Sequence, residues 1–341
     1  MAETVSSRGL MRAVVLKAYG PAEAVRPTMV PIPMPREDDA LVRVHAASVN
    51  DWEWQMCQGE LINRMILGWR RPRRPVILGC DIAGTVESVG AHVKTVGPGD
   101  AVYADLSGVG FGAFADYARV PAETLTRMAP GMSFAQAATL PQAGMLAVQG
   151  LIDVGGMAPG MKVLLNGAGG GVGTIALQLA RRHDNVAVTC VDSAGKLDML
   201  RGLGAAQTID YQATDFTRLA DRYDLIVDTK TNRSPFAYSR VLNPGGVYAT
   251  VGGQISKLLA VFLLGKPIGW VGGKALRVVA LKPNKDLELL NGLFAEGKLE
   301  PVIDSTFALD DVAEAFRHYG TAAQQGKIII TMVDDALRPP G

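Results

Sequence analysis

The stretch VLLNGAGGGVGTIALQLA, residues 163–180, constrains the fold of this chain more than any other feature. It places five glycines among the seven residues 167–173, between a strand-like apolar run and a helix-like run. Such a turn can bend tightly and leaves no side chains between the backbone and a ligand. The helix that follows offers its first N–H groups and its positive dipole end to an anion. The stretch therefore predicts a strand, an anion-binding turn and a helix.

The turn fits the dinucleotide-binding pattern in the register Ala168-x-Gly170-x-x-Gly173, with alanine in place of the first glycine. We predict that it holds the pyrophosphate of a dinucleotide cofactor. The predicted cofactor-binding residues of the turn are Ala168, Gly169, Gly170, Gly171, Val172 and Gly173. The alternative is a glycine-rich turn that binds nothing.

The next strand-like run, VAVTCVD, ends at Asp192, nineteen residues after Gly173. An acidic residue near this spacing typically hydrogen-bonds the ribose hydroxyl of NAD. Ser193 and Lys196 follow closely, and a hydroxyl and an ammonium group suit the 2′-phosphate of NADP. For Lys196 a solvated position at a helix start is the alternative. We predict NADPH as the cofactor, with NADH as the alternative.

The chain divides into regions of different pattern. Residues 1–132 contain short β-like runs separated by turn residues, whereas residues 133–282 alternate apolar strand-like runs with segments of helix length. Such alternation predicts a doubly wound parallel sheet with helices on both faces. The sequence thus predicts an α/β protein of two domains, the first of them β-rich.

Composition narrows the choice of partners. A formal net charge of +1 on 341 residues gives no overall field that would attract nucleic acid. The three cysteines, Cys57, Cys80 and Cys190, lack the spacing of a disulfide framework or a cysteine-rich zinc site. A reducing, cytoplasmic location is therefore predicted, and the N-terminal residues show no secretory signal pattern.

The longest apolar stretch outside the glycine turn is ISKLLAVFLLGKPIGWVGG, residues 255–273. Its uninterrupted part covers only residues 258–264, far short of the roughly 18–20 residues that spanning a bilayer requires. We predict no integral membrane segment here. A buried or interface helix is expected, and a peripheral membrane contact is the alternative.

Several segments, in this order, resemble the medium-chain dehydrogenase/reductase superfamily, in particular its zinc-independent quinone oxidoreductase-like branch. They are ASVNDWEW (47–54), LGCDIAGTVESVG (78–90), VGPGDAVYA (96–104), GAFADYARVP (112–121), AATLPQAGMLAVQGL (137–151), NGAGGGVG (166–173), LGAAQTIDY (203–211), LNPGGVYATVGG (242–253), GKLEPVID (297–304) and GKIII (326–330). The resemblance implies a GroES-like catalytic domain over residues 1–132, completed by residues 283–341, and a Rossmann domain over residues 133–282. It also implies a homodimer.

The resemblance also bears on metal binding. Zinc enzymes of this superfamily have a cysteine where this chain has Asn50, and Gly-His-Glu where it has Gly79, Cys80 and Asp81. Zinc needs about three converging ligands, and the four histidines are scattered along the chain. We therefore predict no bound metal. Without a Lewis acid, hydride delivery to a quinone or an α,β-unsaturated carbonyl compound is the expected reaction.

By resemblance, Asn50 lies near the nicotinamide and the substrate, and Asp51 or Tyr103 supplies a hydrogen bond or a proton. The alternatives are that Asp51 caps a turn and that Tyr103 only packs. The resemblance adds these cofactor-binding residues: Gln142, Gly144, Tyr211, Gly252, Gly253, Gly326 and Lys327. Leu146 stands where relatives commonly have threonine, so one hydroxyl close to the phosphates is missing.

Other functions stay open at this point. One is a pathway-specific enoyl or enone reductase, or an alcohol dehydrogenase of secondary metabolism. Another is a nucleotide-binding structural protein or an RNA-binding protein, since ILGWRRPRRPVI carries four arginines that could contact phosphates. The cluster lacks the wide basic face of a nucleic-acid binder, so we predict a small-molecule substrate and no nucleic-acid partner.

Overall fold

The computed structural model describes residues 9–333 and 336–340. The first eight residues, which are part of the N-terminal stretch without a secretory signal pattern, lie outside the described residues. The described strands are β1 Leu10–Leu16, β2 Pro27–Pro31, β3 Asp39–Ser48, β4 Val76–Ile77, β5 Asp81–Val89, β6 Ala101–Asp105, β7 Tyr117–Pro121, β8 Thr126–Arg127, β9 Lys162–Asn166, β10 Ala187–Asp192, β11 Gln207–Asp210, β12 Tyr223–Asp228, β13 Leu242–Thr250, β14 Ala275–Val278, β15 Ile303–Ala308 and β16 Lys327–Thr331.

The α-helices of the same residues are α1 Asp51–Gln58, α2 Leu61–Leu67, α3 Phe134–Thr139, α4 Pro141–Val148, α5 Gly171–Ala180, α6 Leu197–Gly202, α7 Pro235–Arg240, α8 Ile255–Gly272, α9 Leu287–Ala295 and α10 Val312–Gly320. The chain forms two compact units. Unit 1 comprises Met1–Gln142, Pro283–Gly297 and Ile303–Gly341, and unit 2 comprises Ala143–Lys282 and Lys298–Val302.

Unit 1 is built on a mainly antiparallel seven-stranded sheet in the order β15-β16-β3-β5-β6-β8, with β7 also paired to β3. A second sheet has the order β2-β1-β4. The long strand β3 is central because it pairs with β5, β7 and β16. Its inward side chains, among them Val42 and Val44, join a buried core with Phe114 and Phe316. The β-like runs of the sequence therefore fold as the β-rich domain that was predicted.

Unit 2 contains a parallel six-stranded sheet in the order β11-β10-β9-β12-β13-β14. The order runs outward in both directions from the neighbouring strands β9 and β12. Such a reversal leaves a crevice at the carboxyl ends of the two strands, where ligands bind in open α/β sheets. The predicted α/β class with a doubly wound parallel sheet is confirmed.

The apolar stretch after β13 folds as the 18-residue helix α8. Val261 on its inner side is buried in the core of unit 2, whereas Phe262, Leu263 and Trp270 are exposed. The segment is thus a helix, but only part of it is buried. None of the described helices combines the length and the apolarity that a membrane crossing requires.

Candidate functional site

The glycine turn of unit 2 connects β9 to α5 at the crevice of the sheet. Gly167, the first residue after β9, has a φ of +76°, and a Cβ there would lie 2.1 Å from Thr229 Oγ1. Only glycine fits this position without strain. Gly167 was not among the predicted binding residues, although the glycine run contained it. It supplies the tight turn, and the next residue, Ala168, is buried.

Gly173 holds the helix against the turn. A Cβ at Gly173 would lie 2.4 Å from both the Cα and the carbonyl oxygen of Ala168, so a larger residue would push α5 away from β9. The first hydrogen bond of the helix runs from Thr174 N to Gly170 O. The N–H groups of Gly171 and Val172 precede it, as at every helix start, and are not used by the helix itself.

The residues of the turn fit a dinucleotide pyrophosphate. A Cβ on Gly170 would meet only Gly167 O, at 3.9 Å, so the backbone has open space beside it at the helix start. Free N–H groups, a positive dipole end and bare backbone together form an anion-binding cradle.

Asp192, at the end of β10, faces the turn. Its Oδ2 accepts a hydrogen bond from Gly169 N at 2.7 Å, and its Oδ1 accepts one from Ser193 N at 2.8 Å. Lys196 Nζ lies 3.6 Å from Asp192 Oδ1, and its side chain is buried over Gly169. The carboxylate is therefore engaged by protein groups, and a positive charge lies directly beside it.

A second polar group lies at the carboxyl ends of β12 and β13. Asp228 is fully buried and accepts hydrogen bonds from Asn166 Nδ2, Tyr248 OH and Lys230 N, each 2.8 Å long. These residues were missed by sequence reasoning, because polar residues at strand ends become significant only once the strand order is known. The network fixes the loop after β12 beside the glycine turn.

The remaining predicted residues of unit 2 occupy different settings. Gly253 has a φ of +124° and lies so close to Lys230 O that a Cβ would be 2.2 Å away, whereas Gly252 accepts a hydrogen bond from Thr231 Oγ1 at 2.6 Å. Tyr211 is 46% exposed just after β11, and Gly144 is buried in α4.

Unit 1 contains a buried polar cluster around Asp81, the first residue of β5. Lys327 Nζ lies 2.5 Å from Asn50 Oδ1, 3.2 Å from Val49 O and 3.4 Å from Asp81 Oδ2. Asn50 Nδ2 donates to Asp81 Oδ2 at 3.0 Å, and its contact with Ser48 O is longer, at 3.4 Å.

The cluster contains residues predicted for two different roles. Ser48 Oγ donates to Asp81 Oδ2 at 2.7 Å, and Gln142 N donates to Asp81 Oδ1 at 3.0 Å. Asn50 was predicted as catalytic, whereas Gln142 and Lys327 were predicted to bind the cofactor. The structure brings all three together around one carboxylate, with Gly326 buried immediately before Lys327.

Glu53 supports the cluster from α1. Its two carboxylate oxygens accept from Asn50 N at 3.0 Å and from Cys80 N at 2.6 Å. Burial raises the pKa of Glu53 to about 7, and burial raises the pKa of the Cys80 thiol well above its ordinary value. Cys80 is therefore a neutral thiol in the core.

The residues at this position do not fit zinc. A zinc site needs about three Cys, His or carboxylate ligands that converge on one point. Here the ammonium group of Lys327 lies between Asn50 and Asp81, and its positive charge would repel a metal cation. Among residues 9–333 and 336–340, no three His, Cys, Asp or Glu side chains are grouped as a metal site requires. That the chain binds no metal stays a prediction.

Tyr103 does not have the setting of a proton donor. Its side chain is fully buried in unit 1, and its hydroxyl oxygen lies 2.9 Å from Leu287 O and 3.0 Å from Asn291 Oδ1. Burial raises its pKa. The hydroxyl fastens α9 to β6, and a catalytic role of Tyr103 stays a prediction.

Asp51 is the exposed first residue of α1, where its charge favours the helix start. Its carboxylate accepts a hydrogen bond from Gln55 Nε2 at 2.5 Å, one turn along the helix. The N-cap of α1 is Asn50, which forms a capping box with Glu53, so the structure shows no capping by Asp51. A catalytic role of Asp51 stays a prediction.

Two family models match the chain. The alcohol dehydrogenase GroES-like domain matches residues 36–130, and the zinc-binding dehydrogenase model matches residues 203–330. The first match lies within unit 1, and the second includes β11–β14 of unit 2 together with most of the chain that returns to unit 1.

Full-length relatives and structures are also similar. The chain is 30% identical to 2-methylene-furan-3-one reductase of Solanum lycopersicum, over 96% of this chain and 82% of the relative. It is 31% identical to the chloroplastic NADPH-dependent alkenal/one oxidoreductase of Arabidopsis thaliana, over 94% and 79%. The structure of the quinone oxidoreductase from Coxiella burnetii aligns with a TM-score of 0.84 at 25% identity, over 95% of this chain and 100% of that chain.

Proposed function

The chain belongs to the medium-chain dehydrogenase/reductase superfamily, in its quinone oxidoreductase-like branch, and from this premise we propose that it reduces quinones or α,β-unsaturated carbonyl compounds with NADPH. Its relatives are oxidoreductases, and so is this enzyme. A bound reduced nicotinamide dinucleotide supplies the hydride in such a reaction.

The observation that carries the proposal is the hydrogen bond between Lys327 Nζ and Asn50 Oδ1. It places a cation on the oxygen of a buried carboxamide. By the family resemblance, this is the position where zinc enzymes of the superfamily have a cysteine. A cation on the amide oxygen draws electron density from the nitrogen and strengthens Asn50 Nδ2 as a donor. The long contact of this nitrogen with Ser48 O is easily replaced by a contact with a substrate oxygen.

We assign distinct roles to the groups of the cluster. Asn50 Nδ2 donates to the oxygen of the acceptor, where negative charge develops as the hydride arrives. Lys327 is a positioning residue, because it acts through Asn50. The carboxylate of Asp81 contacts both Asn50 Nδ2 and Lys327 Nζ and keeps them in place. A conjugated acceptor suits this site because its charge spreads over several atoms, so one strengthened donor provides useful stabilisation without a Lewis acid.

The cofactor preference is argued from unit 2. The N–H groups at the start of α5 bind the pyrophosphate, with Gly170 leaving room for it. Asp192 is turned toward Gly169 N, so it is less available to a ribose hydroxyl, and Lys196 provides a positive charge for a 2′-phosphate. The name of the Arabidopsis relative includes NADPH, which supports the same choice.

The experiment is a titration of the purified chain with NADPH and with NADH, followed by oxidation of the preferred cofactor by a small quinone and by a small enone. Asn50→Ala should lower kcat for both acceptors by at least about tenfold and leave NADPH binding unchanged. Gln58→Ala, at the exposed end of α1, is the control.

Turnover by the parent chain with a chelator present, together with loss of kcat in Asn50→Ala, supports the proposal. No binding of either cofactor, or equal kcat in Asn50→Ala and the parent, would reject it. Failure with small acceptors but turnover with large enones would favour the pathway-specific reductase. The cytoplasmic location and the homodimer stay predictions, since several relatives are chloroplastic by name.

A further inference from the structure

Unit 1 carries an exposed apolar surface that the proposed function does not use. Helix α2 exposes Leu61, Ile62, Met65 and Ile66, with 62%, 38%, 67% and 61% of each residue accessible, and Trp69 just beyond it is 66% exposed. These residues recur at helical spacing or in the turn that follows, so they form one continuous strip. A strip of large apolar side chains at a surface typically marks an interaction site.

The same segment is strongly basic. Arg70, Arg71, Arg73 and Arg74 are all exposed, and residues 61–80 contain no Asp or Glu. Among the described residues, none of these four guanidinium groups forms a salt bridge with a carboxylate. We call residues 61–74 the basic apolar segment.

The segment is held in a defined shape. Tyr19 OH donates to Gly68 O at 2.7 Å, and Arg64 Nη1 donates to Trp69 O at 3.0 Å. Arg73 N donates to Leu67 O at 2.8 Å, which closes the turn after α2. Gly68 has a φ of +141°, and a Cβ there would lie 2.4 Å from Arg71 O. The exposure of Trp69 is therefore built into the turn.

We propose that the basic apolar segment binds peripherally to a membrane surface that contains anionic lipids. The apolar strip enters the boundary between headgroups and acyl chains, and the four arginines contact the anionic headgroups. Large apolar and aromatic side chains beside clustered Lys or Arg are the features of a segment that lies in a membrane interface. The positive charge complements an anionic surface, on which each basic residue strengthens binding.

Two observations favour this partner over a nucleic acid. The aliphatic side chains of Leu61, Met65 and Ile66 gain nothing from a phosphate backbone and cannot stack on bases, whereas a lipid interface removes them from water. The basic residues also form one short cluster rather than the wide basic face of a nucleic-acid binder.

The test is co-sedimentation of the purified full-length chain with vesicles of phosphatidylcholine alone and of phosphatidylcholine mixed with phosphatidylserine. The chain should bind the mixed vesicles, and added salt should weaken the binding. Changing Arg70, Arg71, Arg73 and Arg74 together to Ala should weaken it by about tenfold or more. A second variant, Met65→Ser with Ile66→Ser and Trp69→Ser, keeps the charge and should also weaken it.

The matched control changes Arg36, Lys94, Arg182 and Arg240 to Ala, which removes the same charge from other exposed positions. Unchanged far-UV circular dichroism shows that each variant is folded. The proposal is overturned if the parent chain does not bind the mixed vesicles. It is also overturned if the control variant loses as much vesicle binding as the arginine variant. Binding to single-stranded RNA that depends on the four arginines, with no vesicle binding, would also overturn it and assign the surface to nucleic acid.

Discussion

Lys327 and Asn50 are separated by 277 positions in the sequence, yet Nζ of the lysine lies 2.5 Å from Oδ1 of the asparagine. Strand β16 carries Lys327 beside β3, because Ile329 on β16 pairs with Ser48 on β3. The contact is therefore fixed by sheet register. It joins an ammonium group, a carboxamide and the carboxylate of Asp81 in one buried cluster.

Lys327→Met should destabilise unit 1 strongly, because it leaves the buried Asp81 carboxylate without its cation. Loss of one partner of a buried ion pair typically costs about 3–5 kcal/mol. Urea denaturation measures the effect. In the double variant with Asp81→Asn the loss should be smaller than the sum of the two single losses. Additive losses would show that the two residues do not interact. Lys162→Met, at the exposed start of β9, is the control and should leave the free energy of unfolding nearly unchanged.

Gly170→Ala and Gly173→Ala should separate cofactor binding from stability. A Cβ on Gly170 meets no protein atom closer than 3.9 Å, so the variant should fold normally but bind NADPH at least about tenfold more weakly. A Cβ on Gly173 lies 2.4 Å from Ala168, so that variant should lose stability as well. Thermal unfolding and NADPH titration give the two readouts.

Gly202→Ala is the control for these variants, since a Cβ at that position in α6 meets nothing within 4 Å. Unchanged NADPH binding in Gly170→Ala would show that the pyrophosphate does not lie on this turn.

Lys196→Ala should weaken NADPH binding by about tenfold or more, while NADH binding changes little, because only NADPH carries the 2′-phosphate. Titrations of the parent and the variant with both cofactors measure this. Arg201→Ala removes an exposed charge from the following helix and serves as the control. An equal effect on both cofactors would mean that Lys196 supports the turn through Asp192 rather than selecting NADPH.

The free energy of unfolding should depend on pH because of the buried Glu53. Its pKa in the folded chain is about 7 because of burial, against an ordinary value of 4.5. Between these values the folded state holds the proton more tightly than the unfolded state, so stability should fall as pH rises through this window. Glu53→Gln carries no titrating group, and its stability should fall less over the window. Denaturation at both ends of the window measures the difference.

The exposed Glu87→Gln on β5 is the control for this comparison and should keep the parent's pH dependence. An identical slope in Glu53→Gln and the parent would show that Glu53 titrates normally.

Tyr103→Phe should keep turnover and lose stability. The variant leaves Asn291 Oδ1 and Leu287 O without the phenolic proton that they share, a change that costs about 1–2 kcal/mol. Steady-state assays and urea denaturation measure the two effects. A large fall in kcat with unchanged stability would support the catalytic role that the sequence suggested for this tyrosine.

Local features of the site could be predicted from the sequence because neighbouring residues determine them. The strand, turn and helix at residues 163–180 follow from glycines between apolar runs, and Asp192 follows from its place at the end of the next strand. Gly167 was missed because the atom that excludes a side chain there, Thr229 Oγ1, belongs to the end of another strand. The contact of the Tyr103 hydroxyl with Asn291 could not be predicted, because nothing near Tyr103 in the sequence indicates that Asn291 lies against it.

The sequence by itself determined the division into a β-rich region and an alternating region, the glycine turn and the family resemblance. Only the tertiary structure decided that Lys327 lies on Asn50, that Asp192 turns toward Gly169 and that the phenol of Tyr103 is buried. The physical reason is that turns and strand–helix alternation depend on residues close in the chain, whereas a buried polar cluster depends on the register of strands far apart in it.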